Sequence, residues 1–68
     1  MAYEILEIGA SLSRSHVATV ASLDAAEVFL SERYDVIAFE RDGDAADVLV
    51  SFRGGARAGA FQYAVERV

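Results

Sequence analysis

Apolar and polar positions alternate along this chain in two different periods. Between Ala2 and Ile8, Tyr3 and Ile5 fall on one face of an extended segment and Leu6 and Ile8 on the other, which predicts a first strand. Gly9-Ala10-Ser11-Leu12-Ser13 follows as a loop, and the short β-branched run from His16 to Ala21 predicts the strand that pairs back across it. The period then lengthens. Leu23, Ala26, Phe29 and Leu30 form one stripe at helical spacing, with Asp24, Glu27, Ser31 and Glu32 largely off it. Ser22 is suited to cap the first turn, and the two acids that follow suit the positive end of the helix dipole. Asp24 and Glu27 also allow a capping box one register later. Asp35 marks the exit, since Val36-Ile37-Ala38-Phe39 returns to strand composition. Asp42-Gly43-Asp44 predicts a turn that folds strand 36–41 onto strand 47–53. Val48, Val50 and Phe52 share a face there and Leu49 takes the other, as in a strand that is central or is buried by a partner. Beyond the breaker cluster 54–59, Phe61, Tyr63 and Val65 alternate with Gln62, Ala64 and Glu66 and predict a last strand. A helix is the alternative, because Phe61, Ala64, Val65 and Val68 also fit that period.

The order is therefore ββαβββ, a single α+β domain over residues 1–68 with one antiparallel sheet and one helix packed on one face. Three runs, Ser22-Leu23-Asp24-Ala25-Ala26-Glu27, Tyr34 to Glu40 and Phe61 to Glu66, resemble the layout of small uncharacterised bacterial proteins in which a hairpin, one helix and further strands make up the chain. That resemblance implies a compact cytoplasmic protein and carries no catalytic residue onto any position. One helix covers only one face of a sheet. Apolar residues directed to both faces of the first, third and fourth strands leave a surplus on the far side, and exposed apolar patches mark association surfaces.

Composition sharpens that expectation. Of the 68 residues, 54% are apolar, but 13 are Ala, which leaves 24 larger apolar side chains for the core. Cores of this size supply only about 3–5 kcal/mol. With no Cys, neither disulfides nor a Cys-based zinc site can add to it, and a single His cannot close a metal site. Self-association is the remaining common support, so a homodimer is expected, with exchange of a hairpin or terminal strand as one route to it. The N-terminal run carries two acids, no basic segment and no apolar stretch of signal length, so a cytoplasmic protein without membrane insertion is expected.

The most suggestive segment for chemistry is Arg53-Gly54-Gly55-Ala56-Arg57-Ala58-Gly59. Its glycines allow successive backbone N–H groups to approach an anion, and Arg53 and Arg57 can grip a phosphate bidentately. Residues 48–68 carry a net charge of +2 against −7 for residues 1–47, which favours an anion there. The segment lacks the Lys-Ser/Thr of a P-loop and the strand-to-helix context of a dinucleotide site, and a plain connection between strands is the simpler reading. Glu40, Asp42, Asp44 and Asp47 offer oxygen ligands, but on a tight hairpin without EF-hand spacing they read as a solvated turn, and no metal is expected. His16 stands near Ser13 and Ser15 with no third orienting group, so no catalytic site is assigned. Tyr3, Phe61 and Tyr63 are aromatic enough for a base-stacking face, yet the net charge of −5 opposes nucleic acid. A non-enzymatic homodimeric interaction or regulatory module is therefore expected, without cofactor, its partner being itself or a further, unidentified protein. The alternative is a small anion or phosphate binder using Arg53, Gly54, Gly55 and Arg57.

Overall fold

A computed structural model describes residues 1–51 and 59–68. They form β1 (Tyr3–Ile8), β2 (Arg14–Val20), α1 (Leu23–Ser31), β3 (Asp35–Asp42), β4 (Ala45–Ser51) and β5 (Ala60–Arg67). The five strands make one antiparallel sheet in the order β2-β1-β5-β4-β3, with α1 on one face. This is the expected α+β arrangement, and the last segment is a strand, not the helix held open as an alternative. Its position in the sheet explains why. β5 lies between β1 and β4, so its backbone N–H and C=O groups meet ladder partners on both sides.

Local chemistry sets the connections. In the β1–β2 loop, Gly9 N–H donates to Ser13 O at 2.8 Å, and Leu12, at a positive φ of 61°, donates to Gly9 O at 3.0 Å. A Cβ at Gly9 would stand 2.7 Å from Ser13 Oγ, so a side chain there would force that hydroxyl aside. Ser22 caps α1 by accepting from Ala25 N–H at 3.0 Å, which selects the first of the two capping registers. The helix closes with Glu32 N–H on Val28 O and Tyr34 N–H on Leu30 O. β3 and β4 are joined by only two residues, Gly43 and Asp44, with Asp42 opposite Ala45. Gly43 has φ 62°, the sign that a two-residue hairpin with glycine first requires.

The core lies between α1 and the sheet. Ile5, Leu30, Val48, Val50 and Val65 are fully buried, with Tyr3, Ala26, Ala46 and Tyr63 around them. Ala26 and Leu30 come from the predicted helical stripe, and Leu23 and Phe29 pack at its margins. On the strands the core residues alternate as predicted, Phe61, Tyr63 and Val65 beside Ala46, Val48 and Val50. One polar network enters from the edge. The Tyr63 hydroxyl lies 3.1 Å from Glu7 Oε2 and 3.0 Å from the Tyr34 hydroxyl. Having one proton, it donates to the carboxylate and accepts from Tyr34. Burial, and then these two bonds, push its pKa above the usual phenol range.

Both edge strands carry a bulge. Val17 is the extra residue of β2 against β1, and Ile37 the extra residue of β3 against β4. In a regular strand Ile37 would share a face with Phe39, opposite Val36. It is instead set outside the alternation, which brings Val36 and Phe39 onto the same core-facing side. Bulges on edges also interrupt the ladder that another strand would need for pairing.

Candidate interaction surface

The face of the sheet opposite α1 is covered by no described residue. Register and alternation place its side chains in rows that run across all five strands. The first row is Arg14, Ile8, Gln62, Leu49 and Ala38, from β2 to β3. The next is His16, Leu6, Ala64, Asp47 and Glu40, and the third is Thr19, Glu4, Glu66, Ala45 and Asp42. Leu6 and Ala64 are nearly buried by their own neighbours. Ile8 and Ala38 are half-buried, while Leu49 is 38% exposed and Leu12, in the adjoining loop, is exposed. Two shallow depressions follow these rows. One of ≈ 320 Å³ is lined by Ala38, Glu40, Asp47, Val48, Leu49 and Gln62. The other, of ≈ 200 Å³, is lined by Ile8, Leu12, Arg14, Asp47, Gln62 and Ala64. Asp47 and Gln62 border both.

The charges on this face are arranged unevenly. Near β2, Arg14 pairs with Glu66, and His16 Nδ1 is hydrogen-bonded to Glu4 Oε2 at 2.9 Å. Near β3, Glu40 and Asp47 stand directly across the hairpin from each other, with Asp42 one alternation further along β3. Among the described residues these three acids have no ion-pair partner. Arg41, the chain neighbour of Glu40, points to the opposite face. There it bonds Asp24 and lies 3.7 Å from Glu27, and the Asp24 bond raises its already high pKa.

The sequence candidates are placed differently from one another. Arg53, Gly54, Gly55 and Arg57 lie outside the described residues. Of the four hairpin acids, Asp44 is engaged by Arg67 at 3.0 Å and by the Tyr3 hydroxyl at 3.5 Å, while Glu40 and Asp47 face each other. Among the described residues no group of three or more potential metal ligands gathers. His16 lies on the uncovered face, whereas Ser15, its neighbour in the strand, pairs with Glu7 and points the other way, so the two do not form a nucleophile–base pair. Tyr3 and Tyr63 are buried beneath α1 and Phe61 packs against the same core, which removes them from any outward stacking role. Among the described residues no helix is long and apolar enough to cross a membrane.

Alternation along the sequence already sets Ile8 and Leu49 on the side away from the helix, whereas the opposition of Glu40 and Asp47 is not visible in it. The pair follows from turn length. A two-residue connection after Asp42 places Asp47 across from Glu40, whereas the expected Asp42-Gly43-Asp44 turn shifts the partner by one. Comparisons with protein-family models, with curated proteins and with solved structures return no match to this chain.

Proposed function

We propose that the protein is a non-enzymatic interaction module and that the sheet face left uncovered by α1 is its contact surface. One observation supports this above the rest: Ile8, Leu49 and Ala38 share one row across the sheet, with only Gln62 between Ile8 and Leu49, bordered by two depressions and with no described element packed on them. Sheets that bury only one face need a polar far side, and an apolar row there favours an occupant. The homodimer expected from composition would draw on this same face, because the bulges at Val17 and Ile37 make both sheet edges poor sites for strand addition.

Anion binding through Arg53 and Arg57 is the weaker proposal. The chain's net charge of −5 opposes it, and the acids of the uncovered face add to that field. Two measurements test the contact role. Light scattering over a concentration series reads self-association, and Leu49→Ser tells whether any dimer forms through this face. Peptides of about 15 residues, long enough to cross roughly 19 Å of sheet even as a helix, are selected from a random library and mapped by amide shifts. Perturbations centred on β1, β4 and β5 support the assignment, and perturbations confined to α1 count against it.

A further inference from the structure

Two pairs of like charges oppose each other on the uncovered face, and the protein treats them differently. Glu4 stands across from Glu66 on β1 and β5, and Glu40 across from Asp47 on β3 and β4. Directly opposed like charges destabilise a sheet. The first pair is relieved from within, since Arg14 reaches Glu66 and His16 bonds Glu4. The second has no cation among the described residues: Arg41 is held by Asp24, Arg67 by Asp44, and Arg33 lies over the Phe29 ring at 3.8 Å. One pair is met by partners from β2 and the other has no cation among the described residues, so a cationic group brought to this face would meet two unneutralised acids. Beside the unrelieved pair lie Leu49 and Ala38, and Asp47 borders both depressions.

Building on the contact role of this face, we propose that its occupant is a cationic, partly apolar polypeptide segment. Its Arg or Lys side chain sits between Glu40 and Asp47, and its apolar side chains lie along Leu49, Ala38 and Ile8. Phosphate-bearing partners, whether nucleic acid or an anionic membrane surface, are repelled by the same acids. A second copy of the chain is disfavoured for a related reason. Stacked face to face about an axis along the strands, it offers Arg14 and His16 to these acids, and both are already held by Glu66 and Glu4.

The peptide selection described above also tests this occupant. The binders are compared between the wild-type protein and the Glu40→Gln/Asp47→Asn double variant, whose fold is checked by circular dichroism. Face-directed binders rich in Arg or Lys are expected, with affinity falling about tenfold or more on the double variant, as for the loss of two charge contacts. Binding should also weaken from low to physiological salt. Face-directed binders that are neutral or acidic, or that hold the double variant equally well, overturn the cationic occupant and leave the contact role intact. Binders that map elsewhere, or a library that yields none, overturn both. A dimer at working concentration that Leu49→Ser dissolves makes the second copy the occupant and overturns the cationic segment.

Discussion

If Glu40 and Asp47 oppose each other unrelieved, then removing one charge should make the free protein more stable. Asp47→Asn is the least disturbing way to do so, because it keeps the shape of the side chain and Asn is as poor a strand former as Asp. Directly opposite positions hold the two Cβ atoms about 5 Å apart, and two unit charges at that separation in water repel by ~0.8 kcal/mol, an upper bound for side chains that can splay apart. Screening at physiological salt, with a Debye length of about 8 Å, cuts this to ~0.4 kcal/mol. At 0.01 M salt it is about 0.7 kcal/mol, and at 1 M about 0.15 kcal/mol. For a domain of this length these gains raise the melting temperature by about 3–6 °C at low salt and by about 1 °C or less at 1 M. Thermal melting followed by far-UV circular dichroism at the three salt concentrations reads the effect. Asp42→Asn removes the same unit of charge from the same face, but Asp42 lies opposite Ala45, so its gain should be smaller. Glu66→Gln takes the partner from Arg14 and should bring no gain. A gain for Asp47→Asn that is absent at low salt, or that does not shrink as salt rises, would refute the opposed-charge account.

Three further outcomes follow from the packing. Leu30 is fully buried between α1 and the sheet, and Leu30→Ala should cost about 2–5 kcal/mol, comparable to the ~3–5 kcal/mol a core of this size supplies; a folded circular dichroism spectrum with an unchanged urea midpoint would contradict this. Gly43→Ala meets nothing within 4 Å, yet places a side chain at φ 62°, so a backbone cost of about 1–2 kcal/mol is expected, and a urea midpoint equal to that of the parent would show that the turn tolerates it. The raised pKa of Tyr63 means that the folded protein keeps a phenolic proton that the unfolded chain begins to lose near pH 10. Stability is then unaffected by this group below about pH 10 and falls above it, by at most ~1.4 kcal/mol per pH unit. Tyr63→Phe should lower stability at pH 8 but flatten that alkaline decline, and an equally steep decline in the variant would assign it to other groups.

Much of the fold was legible because it rests on local signals. Ser22 before an apolar stripe at helical spacing, Gly43 between two strand-like runs, and the alternation of Phe61, Tyr63 and Val65 each act within a few residues. The bulges were not legible. Val17 and Ile37 are β-branched residues that fit a regular strand equally well, and only pairing with β1 and β4 shows that one residue in each edge strand has no partner. Strand order was likewise hidden. The chain's last strand lies at the centre of the sheet, joined to its first, and no local pattern records that Ile5 pairs with Val65.

The like-charge pairs show where that boundary falls on the candidate surface. Glu40 and Asp47 belong to one hairpin, so a two-residue turn is sufficient to oppose them and to turn both outward, given that Ala46, Val48 and Val50 face α1. Glu4 and Glu66 are brought together only by the β1–β5 register, and the side chains that bond them, His16 and Arg14, arrive from β2 through a further pairing. Relief of the distant pair therefore depends on β2, β1 and β5 being assembled, whereas the strain of the local pair is present as soon as the β3–β4 hairpin forms. A sheet that recruits Arg14 and His16 to one pair while directing Arg41 away from the other keeps a negative site beside its exposed leucine. Because that site costs only a few tenths of a kcal/mol at physiological salt, even a small domain tolerates it, and the same charge remains available to a cationic partner.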